Sequence, residues 1–292
     1  MDFSTFFDKA WEDHAADSAA VARRLDEGIA LVTDEAQLNQ LMTLGHHVLG
    51  EHLGRWHEGI AFVERLSALP SFAAEGASGQ ARRRCLSSLR LSAGDAAALD
   101  ALSPSDRIRV GAMAAANLAE HDAARANRLL QGALDLAQRA GLPATDPMHR
   151  ALAVAGNNLA SNLEQKTERS ADERALMILA AQTARHHWAI AGTWLETERA
   201  EYRLANTWLA AGDLARAREH ALACLDIIEA NDGAALERLF GWEALGLVER
   251  AAHNAAGHEK ALARAREAFA ALDEADKSWC AETLDKLAAP AG

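Results

Sequence analysis

Apolar residues recur at intervals of three and four along nearly the whole chain, and the breaks between these stretches are only a few residues long. That spacing gives each segment one apolar face on a 3.6-residue turn, and so predicts helix after helix. Connections this short force consecutive helices to fold back as antiparallel hairpins. Composition points the same way. Alanine and leucine dominate, β-branched residues are sparse, and the chain carries one tyrosine and five prolines. A sheet would ask for Val, Ile, Thr and Tyr, whereas Ala and Leu lose little on entering a helix.

Capping residues locate the helix starts. Thr33-Asp34-Glu35 supplies a cap followed by a first-turn acid, and Ser103-Pro104 places a capping serine before a proline at the first helical position. Asp146-Pro147 repeats that arrangement. Ser170 with Glu173, and Thr193 with Glu196, have the spacing of capping boxes. From these marks the sequence predicts helices near 3–16, 17–32, 34–53, 55–68, 77–92, 95–102, 104–119, 122–140, 146–165, 169–191, 193–211, 213–231, 233–254, 257–273 and 275–288. Loops are expected at 69–77 and 140–146, neither of them long or polar enough to be a domain linker. The expectation is one continuous array over residues 1–292.

Charge and cysteine content narrow the function classes. A net charge of −12 opposes nucleic acid binding unless a basic stripe is present. The short cluster Arg82, Arg83, Arg84 and Arg90 is read as a solvated helix face. Cys85, Cys224 and Cys280 are odd in number and far apart, forming neither a disulfide framework nor a metal knuckle. A soluble protein of a reducing, cytoplasmic compartment is expected, with no membrane partner.

The hairpins carry an internal repeat. Leu204-Ala205-Asn206-Thr207-Trp208 is followed by Gly212-Asp213-Leu214-Ala215-Arg216-Ala217 and then Ala221 and Cys224. Trp242-Glu243-Ala244-Leu245-Gly246 is followed by Gly257, Ala261, Ala265 and Ala268, and Leu41, Leu44 and Gly45 precede Gly54-Arg55-Trp56. These residues resemble the tetratricopeptide-repeat pattern. Small residues at Gly45, Ala205, Ala217 and Gly246 would let paired helices approach, with Leu44, Leu204, Leu245, Trp56 and Trp208 filling the adjoining space. Gly54, Gly94 and Gly212 would make the tight turns. The period departs from the family: Gly212 and Gly257 are 45 residues apart and Gly54 and Gly94 are 40 apart, against about 34 in the consensus. HEAT or armadillo-like arrays have similar periods.

The resemblance implies an all-α, right-handed superhelical solenoid of antiparallel helix pairs. It would comprise N-terminal helices over 1–33, five or six repeats over 34–273, and a polar capping helix at 275–288. It also implies a concave groove lined by the first helix of each pair. By alignment the groove residues are Asn157, Asn158 and Ser161, then Arg199, Tyr202, Arg203 and Asn206, then Glu243, Leu247 and Arg250. The partner expected there is a protein or peptide segment, with no cofactor. Asn158 with Arg199 and Arg203 is similar to part of the carboxylate clamp of some tetratricopeptide co-chaperones. The preceding repeat departs, with Gly111 and Ala115 where that clamp needs Lys and Asn. Pairing of the arginines with Glu198 or Glu201 is the competing arrangement.

Other clusters invite chemistry. His46, His47, Glu51, His52 and His57 lie together in sequence, and His47 and Glu51, four apart, share a helix face that offers two ligands to zinc. On an α-helix His52 projects elsewhere and His57 lies beyond Gly54, so the run is read as surface or partly buried histidines. His186-His187-Trp188 is read as a helix C-terminus favouring histidine through its dipole. Trp188 and Trp194, flanking the Ala191-Gly192 break, are read as packing residues, with an exposed anchor as the alternative. No phosphate loop, dinucleotide fingerprint, serine elbow or paired-cysteine metal signature occurs. The leading expectation is a binding scaffold rather than an enzyme. The alternatives are a ligand-sensing or self-associating, homodimeric module of a bacterial-type regulatory system and, after it, a metal protein or enzyme using the histidines.

Overall fold

Short connections and capped, amphipathic segments produce an all-helical chain in the computed structural model, which describes residues 1–289. Among those residues there are fourteen α-helices and no strand. Helices adjacent in sequence pack against each other, and the chain divides into two compact units, Met1–Met148 and His149–Gly292.

The first unit contains α1 (Phe3–Asp13), α2 (Ser18–Leu31), α3 (Glu35–His46), α4 (Trp56–Leu66), α5 (Ala77–Ser92), α6 (Pro104–Leu118) and α7 (Ala123–Ala140). Its core is built from large side chains. Phe6, Leu25, Leu38, Leu41, Met42, Leu44, Phe62, Val63, Leu66 and Leu89 belong to one buried cluster. Gly45 shows why a small residue stands between them. A Cβ there would lie 2.1 Å from the Phe62 ring, so only glycine lets α3 close onto α4.

The segment expected to be one helix over 34–53 is two. After His46 the backbone widens into a π-helical stretch, His47–His52, with Leu53 N–H donating to Val48 O at 3.1 Å. Val48, Leu49 and Gly50 are consecutive and all buried. A regular α-helix would rotate one of three such neighbours outward, and the added residue in the turn relieves that conflict. Gly50 sits where a Cβ would come within 2.8 Å of Asn117 Oδ1 and 3.0 Å of Leu89. The helix expected over 95–102 is also reduced, to a 3₁₀ turn at Ala96–Leu99, because Ser103 and Pro104 already begin α6.

The boundary between the units falls in the first turn of α8 (Pro147–Glu164). The second unit continues with α9 (Ala171–Ala191), α10 (Trp194–Ala211), α11 (Leu214–Ala230), α12 (Ala235–Ala251), α13 (Ala255–Ala270) and α14 (Glu274–Ala288). Its closest interfaces use small residues: Ala205, Ala217, Ala221 and Ala265 are fully buried. At Gly156 a Cβ would lie 2.5 Å from Ala180 O, so α8 and α9 touch backbone to backbone.

Expected caps form at α3, α6, α9 and α10. Asp34 accepts from Gln37 N, Ser103 from Asp106 N, and both capping boxes, Ser170–Glu173 and Thr193–Glu196, are closed. At α8, Asp146 Oδ1 accepts from Met148 N at 2.9 Å. Gly54, Gly94 and Gly212 have φ of +60°, +108° and +84°, the left-handed turn that ends a helix without steric penalty. No described helix is long and apolar enough to cross a membrane. All three cysteines are free and buried.

Candidate functional site

Tyr202 and Arg203 lie three and four residues after Arg199 along α10, and so share one face with it. In the second unit this face meets α12 and α14 to bound a cleft of about 420 Å³. Asn157, Glu198, Arg199, Tyr202, Arg203, Leu236, Glu237, Phe240 and Trp279 line it. Four of these, Asn157, Arg199, Tyr202 and Arg203, were expected in a groove from the sequence. The aromatic residues form a ladder that opens to solvent. Tyr202 meets Phe240 edge-on at 5.8 Å, Phe240 stacks on Trp279 at 5.7 Å, and Trp279 is 55% exposed.

Carboxylates set the electrostatics. Arg203 Nη1 pairs with Glu164 at 2.5 Å, and Thr207 Oγ1 donates to the same carboxyl group. Burial still holds the Glu164 pKa above its ordinary value, against the pull of Arg203. Arg199 Nη2 donates to Glu237 at 3.2 Å, with Arg199 59% exposed and Glu237 10%. Neither arginine pairs with Glu198 or Glu201. Glu201 is bound by Arg185 and His220, and Glu198 Oε1 accepts from Cys224 Sγ at 3.0 Å. Burial pushes the Glu198 carboxyl and the Cys224 thiol upward, so this cysteine is no thiolate nucleophile. Nε of Arg203 and Oε2 of Glu198 are buried without a hydrogen-bond partner.

Other expected groove residues lie outside the cleft lining. Tyr202 Oη donates to Glu243 at 3.0 Å; burial, the largest influence, pushes that carboxyl up to about 7. Asn206 Nδ2 donates to Tyr202 O at 3.1 Å. Arg250 donates to the Lys286 and Ala289 carbonyls at 2.8 and 3.1 Å and fastens the end of α14. Asn157 and Asn158 bond each other at 3.3 Å, with Asn158 exposed, while Ser161 and Leu247 are half-buried. Trp279 was missed because α14 reads in sequence as a polar cap. An exposed tryptophan on such a helix was the available signal.

Three of the four arginines on α5 have partners within the unit: Arg82 donates to Ser67, Arg84 pairs with Asp106 and Arg90 with Glu64, while Arg83 is exposed. Trp188 lies partly buried under Arg150, whose Cζ is 5.2 Å from the ring centre, but Trp194 is an exposed residue on the first turn of α10 rather than a packing residue. The dipole reading of His187 also needs correction. Its Nδ1 lies 3.0 Å from that of buried His149, and burial, with His186 and His149 alongside, lowers its pKa to about 4. It is neutral at pH 7 and no cation at a helix end.

In the first unit His57 is exposed and turned away from the other histidines by the Gly54 turn. His46 is buried, with Nε2 2.7 Å from Ser88 Oγ, and burial lowers its pKa. His47 Nδ1 lies 2.7 Å from Glu51 Oε2, as the i,i+4 spacing predicted. His52 does not project elsewhere: its Nε2 is 3.0 Å from His47 Nε2. No protein-family model, curated protein or solved structure matches this chain.

Proposed function

We propose that the chain is a binding scaffold of the tetratricopeptide-like class, a right-handed superhelical array that captures a protein or peptide segment in the cleft between α10, α12 and α14. The hairpin series, the left-handed glycine turns and the close-approach residues Gly45, Ala205 and Ala217 support the repeat reading. The observation that carries the binding reading is Trp279, 55% exposed at the mouth of an aromatic-walled cleft. A large ring half in water at the edge of a concave site is what an anchoring contact looks like before its partner arrives. The cleft volume lies within the usual range for a bound side chain or small ligand.

Polar groups in the cleft suit a peptide. Arg199 is held by Glu237 through one nitrogen only and keeps further N–H donors in solvent for an acidic side chain or chain end. Arg203 has a different task, because it neutralises Glu164, whose side chain is only 10% exposed, and a variant lacking it would confound binding with folding. The test is therefore made on Trp279 and Arg199. Peptides selected from a displayed random library on the full chain should bind Trp279→Ala at least about tenfold more weakly, the loss typical of a hot-spot aromatic. Arg199→Ala should weaken acidic peptides selectively. Trp194→Ala, an exposed tryptophan outside the cleft lining, should bind like the parent. Selected peptides indifferent to Trp279 would remove the cleft from consideration.

A further inference from the structure

His14 is the residue after α1, His47 opens the π-helical segment and His52 closes it. One ring nitrogen from each lies within 4.8 Å of the others. The ring centres are 5.0 Å apart for His14 and His47, 5.3 Å for His14 and His52, and 4.6 Å for His47 and His52. The juxtaposition depends on the widened turn. On an α-helix, residues five apart point about 140° away from each other, given 3.6 residues per turn. The π turn brings them onto one side.

Hydrogen bonds around the three rings decide which nitrogens are free. His47 Nδ1 can only donate to the Glu51 carboxylate at 2.7 Å, and His14 Nδ1 can only donate to Trp11 O at 2.5 Å. In each neutral ring that leaves Nε2 as a bare lone pair. Both partners are the carboxylate and carbonyl acceptors that orient metal-bound imidazoles. His52 Nε2 faces His47 Nε2 at 3.0 Å, close to the about 3.3 Å that separates two nitrogens on a tetrahedral zinc with bonds of about 2.05 Å. The Trp11 ring stacks on His47 at 5.2 Å and shields one side, while His47 keeps 20% of its side chain in solvent.

We propose that His14, His47 and His52 form a three-imidazole site for a divalent transition-metal ion of the zinc class, with Glu51 orienting His47 and a fourth position open to water. Imidazole donors favour zinc, cobalt, nickel and copper over magnesium or calcium. The site lies wholly in the first unit and is independent of the peptide cleft. His46 is not a ligand, since Ser88 occupies its Nε2.

The full chain, without an added histidine tag and stripped with chelator, is titrated with Zn²⁺ by calorimetry and with Co²⁺ by visible absorption. One equivalent should bind, with the strong absorption of low-coordinate cobalt. His14→Gln and His52→Gln should each lose that equivalent while keeping parental helicity, and exposed His57→Gln should keep it. Glu51→Gln should bind about 10–100-fold more weakly, the usual effect of removing an orienting partner. Ring-nitrogen NMR of the unsubstituted chain reads the same assignment without relying on variants: zinc should shift three of the 12 histidines. No binding by the parent, parental affinity in His14→Gln and His52→Gln, or zinc-induced shifts in other histidines would overturn the proposal.

Discussion

The two units solve helix packing with different materials. In the first, large aliphatic and aromatic side chains interdigitate, and the buried polar residues are neutral: His46, Ser78, Ser88, Ser92 and Asn117. In the second, helices approach over alanine and glycine, and four glutamates are buried, Glu198, Glu201, Glu243 and Glu249. Each finds a local partner: Cys224 for Glu198, Arg185 and His220 for Glu201, Tyr202 for Glu243, and Arg218 and Asn254 for Glu249. Small side chains bring backbones close but cover little area, so the second unit depends more on satisfied polar contacts. The first should be sensitive to lost volume, the second to lost partners and to pH.

The largest expected effect is therefore a truncation in the first unit. Leu41→Ala, at a fully buried position, should lower stability by about 4 kcal/mol and speed amide exchange across α3 and α4, with little change in α11–α13. Hydrogen exchange read by mass spectrometry resolves the units separately, and equal acceleration in both would erase the contrast. Next comes Arg203→Met, which strips Glu164 of its counter-charge and should cost on the order of 3 kcal/mol near pH 8. The double variant Arg203→Met/Glu164→Met should recover most of that loss. A single variant as stable as the parent would show that the pair contributes little.

An effect of similar size follows from Glu243. Its folded pKa of about 7 lies above the ordinary 4.5, so between those values the unfolded chain has released a proton that the folded chain retains. Its stabilising contribution is complete below pH 4.5 and is lost as pH rises through 7, on the order of 3 kcal/mol in all. Unfolding of Glu243→Gln should lack this slope. His52 in the first unit has the opposite sign. Its pKa of about 4 lies below the ordinary 6.5, so its contribution is complete above pH 6.5 and is lost as pH falls toward 4. Acid should loosen α3 and its π segment while base loosens α12; parallel profiles would collapse the distinction. The smallest effect is expected at a cap. Ser170→Ala opens one capping box on α9 and should cost about 1 kcal/mol, confined in exchange to that helix's first turn.

Helix starts were legible because their signals are local: Asp34, Ser103, Ser170 and Thr193 each satisfy a backbone donor two or three residues on. Gly45, Gly54 and Gly212 were legible because close approach and left-handed turns leave few alternatives. The π segment was not. Apolar spacing is read with an assumed turn size, and Val48, Leu49 and Gly50 fit an α-helix about as well until Leu89 and Asn117 are packed against them. The cleft was half legible. Arg199, Tyr202 and Arg203 share a helix face by spacing alone, but their partners Glu237, Glu243 and Glu164 are 38, 41 and 39 residues away, and the competing glutamates anticipated on α10 face other helices. His14 was invisible for the same reason: nothing in the sequence ties the end of α1 to a run more than thirty residues later.

The π segment also has a genetic meaning. A π turn is an α-helix with one residue too many, so it can arise by inserting a single codon and vanish by deleting one. Without that residue His47 and the histidine that closes the segment would stand four apart on an α-helix, still on one face, but the turn would no longer hold three consecutive buried residues, Val48, Leu49 and Gly50. The pairing of the two imidazoles thus tolerates the extra residue, whose service is to the packing of Gly50 against Leu89 and Asn117. Its loss by deletion would leave composition, net charge and helix count almost untouched.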